Sequence, residues 1–438
     1  MSALNAEPDG TTNTGTTNTG MTNTGTKILT GLPPQPQVLP GSLRNLFGWL
    51  AAGYASMFIV SLGAGTVLNP LLVEHVVGSA HKVTALGVVS GVSAVFAALA
   101  NLVAGAGSDR MGRRNPFILG GGLLAAVFLA ALGGAGSLLL ITVLWSLSQL
   151  FLGAYQAALT AVVPDRIPKH RLGTASAIVG AGLPFGGLVG VLAAGALSKS
   201  LAVGYLVFAV VIALTAVLFA RRIRDVPRPR SEPGPGLGRQ AAAFTSSLRD
   251  HDFRWAFTAR VLMVLGYFSV FGYQLYILQD HVTMPHGISP TTGVGILTAI
   301  GMVATGVAAV LGGLLSDRLG RRKIFMTVAG VVLGLVMIMP IVSPSWPVMM
   351  VFALLNGLAF GCFMAVDIAV VITVLPSESD AARDLGVLNV ANAGPQIIAP
   401  FLAALLIAHL GGYDALFAVA GVFAIAGAGA ASRIRKIR

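Results

Sequence analysis

The sequence predicts an all-α membrane protein, with twelve transmembrane helices arranged as two six-helix halves. Three observations carry this: an apolar composition, one-sided placement of lysine and arginine, and a segment that occurs twice. Of 438 residues, 55% are hydrophobic and only 10% are charged, against about 25% charged in an ordinary soluble chain. Water cannot solvate such a surface, so lipid must. Whole-chain disorder is excluded. So is a disulfide scaffold, because Cys362 is the single cysteine and reads as a small apolar side chain. The formal net charge of +12 resembles that of a nucleic-acid binder. The cations fall in loops on one side of the membrane, however, so they report topology and no nucleic-acid partner is expected.

Residues 1–42 read as a disordered tail. Thr-Thr-Asn-Thr-Gly occurs at 11–15 and 16–20, and prolines follow at Pro33, Pro34, Pro36 and Pro40. Such a stretch buries too little apolar surface to fold. The first apolar run starts only near Leu46, which does not match a signal peptide. Twelve runs then approach the roughly 20 apolar residues that a spanning helix needs. They are 46–73, 83–106, 116–134, 138–163, 173–197, 203–221, 255–279, 291–315, 324–342, 346–375, 386–408 and 413–431. The runs are continuous, whereas barrel strands alternate over about ten residues, and a helix satisfies its own backbone in lipid.

The first six runs form an N-terminal bundle, 43–221, and the last six a C-terminal bundle, 254–432. Residues 222–253, rich in Arg, Pro and Gly, read as a cytoplasmic linker, and 433–438 as a basic tail. With the N-terminus in the cytoplasm, 25 of the 28 lysines and arginines lie on that side. Lys82 and Lys199 lie opposite, and Arg260 sits just inside the seventh helix. Both termini are therefore expected in the cytoplasm of a multi-pass protein of the cell membrane.

The halves repeat each other. Gly105-Ala-Gly-Ser-Asp109-Arg110-Met-Gly112-Arg113-Arg114 matches Gly313-Leu-Leu-Ser-Asp317-Arg318-Leu-Gly320-Arg321-Arg322 at an offset of 208. Gly53-Tyr54-Ala-Ser56 matches Gly266-Tyr267-Phe-Ser269 at 213, and Val163-Pro164 matches Leu375-Pro376 at 212. Duplicated halves place a binding site at their interface near the bilayer midplane. Gly112 and Gly320 permit a tight turn, and the arginines hold it at the membrane surface. Asp109 and Asp317 are placed to accept charge-assisted bonds from arginines or a helix N-terminus.

This doubled Gly-x-x-x-Asp-Arg-x-Gly-Arg-Arg loop resembles the signature of the major facilitator superfamily, over about 43–432. The resemblance implies the major facilitator fold, alternating access by rocking of the halves, and a role for Gly105, Asp109, Arg110, Gly112, Arg113, Arg114, Gly313, Asp317, Arg318, Gly320, Arg321 and Arg322 in latching the cytoplasmic side. A turn that carries only topological charge is the other reading of the same residues.

Asp367 is the one acid deep in an apolar run, nine residues before Pro376, or roughly 13 Å from that helix end at 1.5 Å per residue. An ionisable group at that depth is costly and marks function, here proton coupling. Pseudo-symmetry places Tyr155, with Gln156 beside it, opposite Asp367. The same cavity is offered Asn389, Asn392 and Gln396, which share one helix face, with Tyr267 and Gln274 in the seventh helix and Tyr54 in the first. Amides, hydroxyls and aromatic faces suit a neutral hydroxylated ligand such as a sugar. Interhelical hydrogen bonds would use the same residues. The stretch Asp384-Leu385-Gly386-Val387-Leu-Asn389-Val-Ala391-Asn392-Ala-Gly-Pro395-Gln396 also resembles the glycoside and sucrose-type cation symporters, in which a proton or sodium gradient drives uptake.

Gly182-Leu183-Pro184-Phe185-Gly186-Gly187 departs from the Gly-Pro-x-x-Gly-Gly pattern of drug antiporters. With Gly190 it reads as a helix-packing seam. Glu74-His75 and Asp280-His281 read as solvated helix ends, with proton attraction or an outer gate as the other reading. No H-E-x-x-H, Walker loop or G-x-S-x-G is present, so neither an enzyme nor a metal or cofactor site is expected. The expected protein is a monomeric secondary active transporter, proton-coupled or sodium-coupled, that takes up a sugar or glycoside. Proton-antiport efflux of lipophilic compounds is the alternative, and a non-transporting membrane sensor the remote one.

Overall fold

The computed structural model describes residues 40–168, 171–225, 248–374 and 381–435. The N-terminal tail, the centre of the linker and Pro376 lie outside the described residues. Among those described, helix follows helix. α1 comprises Pro40–Gly63, a π-helical turn at Ala64–Leu68, and Asn69–Val77. α2 is Lys82–Met111, α3 Asn115–Leu132, α4 Leu138–Arg166, α5 Leu172–Leu197 and α6 Leu201–Arg222. α7 is a bent pair, His251–Phe271 and Gln274–Asp280, with 49° between its arms. α8 is Pro290–Leu319, α9 Arg322–Val342 with a break at Met337, α10 Trp346–Val374, α11 Ala381–His409 and α12 Gly412–Ser432. Eleven of these are long and apolar enough to cross a membrane alone, and α7 makes twelve when its arms count as one span.

Local chemistry sets the ends and breaks. Ser137, Asp250 and Ser289 cap α4, α7 and α8 by accepting backbone N–H bonds from the first turn. Pro70 has no N–H to give one turn back, and the chain widens into the buried π turn just before it. α7 bends at Gly272–Tyr273, where the Tyr273 hydroxyl donates to the carbonyls of Val83 and Pro400 at 3.2 and 3.0 Å. Large apolar side chains face outward all round the bundle, Val342 and Leu139 being 77% and 75% exposed. Only lipid makes such a surface tolerable.

Packing repeats after six helices. α1 packs on α5, α2 on α4, and α3 on α4 and α6; likewise α7 packs on α11, α8 on α10, and α9 on α10 and α12. The halves meet through α2 with α11 and α5 with α8. A Cβ at Gly87 would sit 2.5 Å from that of Ala404, and one at Gly91 would overlap the Phe401 ring. A Cβ at Gly295 would sit 2.9 Å from Leu192. These close approaches lie in the part of the molecule nearer Lys82, away from the duplicated loops.

Candidate functional site

α7 and α10 run antiparallel, and two contacts fix their register. Arg260 Nη1 lies 3.3 Å from Asp367 Oδ2. Seven residues along α7, and seven back along α10, Tyr267 stacks on Phe360 with centroids 3.7 Å apart. Asp367 is 1% exposed and Arg260 13%. Both lie among Ala256, Ala259, Val264, Phe363, Val366 and Val370. The Asp367 oxygens and Arg260 Nε make no hydrogen bond among the described residues, so the pair is held by charge. Gln274 Oε1 and Asn356 Oδ1 are likewise buried without a hydrogen-bond partner among those residues. Two layers therefore follow along the α7–α10 face: an ion pair and an aromatic stack.

The sequence reading treated Asp367 as an isolated acid, and that is corrected: Arg260 answers it from 107 residues away. The signal was present. Arg260 is the one cation inside an apolar run, and a buried cation needs an anion.

The duplicated loops turn as expected, with Gly112 and Gly320 at φ 64° and 61°. Their arginines then differ. Arg114 Nε donates to Asp165 Oδ2 at 3.0 Å, with both side chains largely buried. The backbone N–H groups of Arg114 and Asn115 donate to Asp225 at 3.3 Å each. Arg322 Nη2 instead donates to Asp317 Oδ1 of its own loop at 2.9 Å, in a more exposed pair. Arg113, Arg318 and Arg321 are exposed. A Cβ at Gly313 would make only an ordinary 3.8 Å contact with that of Ala365, so the approach of α8 to α10 does not depend on it; Gly312 is the tight position, 3.0 Å from Cys362 Sγ. Gly105 and the side chains of Asp109, Arg110 and Asn389 lie outside the described residues.

At the other end, Glu74 is half-buried and Asp280 exposed, and both helix-end acids are paired as well as solvated. Lys82 is 4% exposed. Its ammonium donates to Glu74 Oε1 at 3.0 Å, Gln279 Oε1 at 3.1 Å and Asp280 Oδ1 at 2.9 Å. It also lies 4.6 Å over the Tyr276 ring. Gln279 Nε2 donates to Glu74 Oε2 at 3.1 Å, and Tyr276 Oη to the Pro70 carbonyl at 2.8 Å. Tyr413 Oη donates to Asp280 Oδ2 at 2.7 Å. Glu74 and Lys82 come from the first six helices, the others from the last six, so this cluster ties the halves together.

The model of the Major Facilitator Superfamily matches residues 54–284 and 276–436. The chain belongs to this superfamily. It is a transporter rather than an enzyme. No curated protein matches its sequence. Similar solved structures include a bacterial homologue of the human lysosomal transporter Spinster, inward-facing and unoccupied, at 16% identity and TM-score 0.69, covering 91% of this chain and 98% of that one. A POT family transporter in complex with 5-aminolevulinic acid gives 16% and 0.69, covering 88% and 94%. The nucleoside transporter NupG gives 12% and 0.75, covering 88% and 99%. At these identities the likeness shows the fold.

Other expected site residues of this superfamily member fall in different places. Tyr155 is wholly buried inside the first half, beside Gly53 and packed against Gly121 and Gly122. Its hydroxyl is buried there without a hydrogen-bond partner among the described residues. Tyr54 is 2% exposed and hydrogen-bonds Thr160 Oγ1 at 2.7 Å. Thr160 Oγ1 also donates to the carbonyl of Gln156. Tyr267 faces α10 within the aromatic stack. Asn392 and Gln396 are half-buried on α11, where Gln396 Nε2 donates to the Asn392 carbonyl at 3.2 Å. Gly182 and Gly186 pack on Tyr54 and Ala55 of α1, and a Cβ at Gly63 would lie 2.5 Å from the Gly190 carbonyl oxygen. That geometry is the seam read from the sequence.

Proposed function

We propose that this transporter couples proton movement to uptake of a small neutral hydroxylated solute, a sugar or glycoside, across the cytoplasmic membrane. The Arg260–Asp367 pair carries the reading. At 3.3 Å the attraction is roughly 5 kcal/mol at an effective dielectric near 20. Desolvation costs several kcal/mol per ion. The two nearly cancel, so the pair adds little to stability and is readily exchanged. A proton on Asp367 discharges the carboxylate and frees the guanidinium, and its loss remakes the pair. The exchange acts on α7 and α10, which also meet at the aromatic stack and each carry a buried amide oxygen without a partner among the described residues, Gln274 and Asn356. The buried oxygens of Gln274 and Asn356 suit solute hydroxyl donors, with Asn392 and Gln396 supplying further amides. The one-sided arginines support cytoplasmic termini. The approaches near Lys82 support a conformation open toward the duplicated loops.

Two experiments test this. Sucrose, lactose, methyl glucoside and tetraphenylphosphonium are screened for stabilisation of the purified protein. A ligand at a hundred times its Kd adds about 2.7 kcal/mol, and a response to the lipophilic cation alone favours efflux. In proteoliposomes, Asp367→Asn abolishes accumulation of the stabilising sugar under a pH gradient and leaves its exchange intact. Full accumulation by that variant overturns proton coupling through Asp367, and dependence on a sodium gradient replaces the ion.

A further inference from the structure

Lys82 is in an unfavourable place. It opens α2, where the helix dipole repels a cation, and it is 4% exposed, where an unpaired ammonium is not tolerated. Its partners explain why it stays. Two oxygens, Gln279 Oε1 and Asp280 Oδ1, and the Tyr276 ring face come from α7. Glu74 supplies one more oxygen from α1. An ammonium has three N–H donors and a charge that attracts an aromatic face, and this surround meets all of those needs.

The parts of the cage separate unequally. Lys82 and Glu74 belong to the half containing α1 and α2. Tyr276, Gln279 and Asp280 belong to α7, and Tyr413 of α12 holds the second Asp280 oxygen at 2.7 Å. Behind Asp280, His281 is braced by the Pro340 carbonyl at 3.2 Å and by Asp414 at 3.5 Å. When the halves part on this side, Lys82 leaves with Glu74. The α7 share of the cage keeps its carboxylate, its amide oxygen, its ring and the Tyr413 brace.

We propose that Tyr276, Gln279 and Asp280 form a primary-ammonium site of the second half, which Lys82 fills as a tethered ligand that locks the two halves together. A soluble alkylammonium ion competes with Lys82 and releases the lock. The inference rests on superfamily membership alone and is independent of the solute and the coupling ion.

The test uses the full chain with spin labels at Ser79→Cys and His286→Cys, both exposed on the Lys82 side, on a Cys362→Ser background. Pulsed electron resonance reads the distance between them. n-Propylammonium chloride raises the long-distance fraction saturably, whereas equal sodium chloride or tetramethylammonium chloride does not. Lys82→Met and Asp280→Asn each raise that fraction several-fold without ligand and abolish the response. Equal effects of propylammonium and sodium, or a wild-type response in Asp280→Asn, overturn the proposal. Should those variants fail to fold, Gln279→Met keeps both carboxylates, removes one of the Lys82 bonds and raises the long-distance fraction without ligand. An unchanged fraction there overturns the proposal too.

Discussion

The two halves place different chemistry at matching positions. Offsets of 213 and 212 relate Arg260 and Asp367 to Phe47 and Tyr155. In the second half these positions hold a buried ion pair. In the first, Tyr155 is buried beside Gly53, with no charge at either position. The first half therefore fills these positions without a charge. One helix pair, α1–α5 against α7–α11, also differs in tightness. Gly190 of α5 touches α1 backbone, while its counterpart in α11, offset by 213, is the fully buried Ala403.

The largest test breaks the charge asymmetry. Arg260→Ala leaves a buried carboxylate unanswered and costs about 3–5 kcal/mol, seen as a large drop in melting temperature. The double variant Arg260→Met with Asp367→Leu makes the second half apolar like the first. It recovers at least the parental stability while losing gradient-driven accumulation. A double variant as unstable as the single one would mean that the charges build the fold.

Packing comes next. A Cβ at Gly190 overlaps the Ile59 carbonyl oxygen, rigid backbone that cannot step aside, so Gly190→Ala costs about 3 kcal/mol. Ala403→Gly at the matching position costs about 0.5–1 kcal/mol. Thermal melts of the two variants read the difference, and equal losses would remove it. The loops give the smallest effect. Arg114→Gln breaks a largely buried charged bond and costs about 2 kcal/mol. Arg322→Gln acts on an exposed pair worth under about 1 kcal/mol, and high salt erases that smaller effect first. A larger loss from Arg322→Gln would reverse the ranking.

Much of the fold was legible in the sequence because its causes are local. Each apolar run reports its own transfer to lipid, each loop its own charge, and the glycines of the doubled loop their own turns. The α1–α5 seam was legible too, since small residues at four-residue steps fix one helix face. Less of the site could be read. Asp367 stood out by depth, but its partner did not. Tyr155 has the pseudo-symmetric address of Asp367, with Phe47 at the address of Arg260. Asn356 was passed over because one amide in an apolar helix carries no periodic signal.

By itself the sequence determined which segments span the membrane, which side carries the arginines, and that one half repeats the other. Only the tertiary structure decided that Arg260 meets Asp367, that Lys82 is caged 198 residues away by Asp280, and that Tyr267 stacks on Phe360. Hydropathy and turn preference act within a few residues. Charge pairing and stacking depend on register between helices far apart in the chain, and packing alone sets that register.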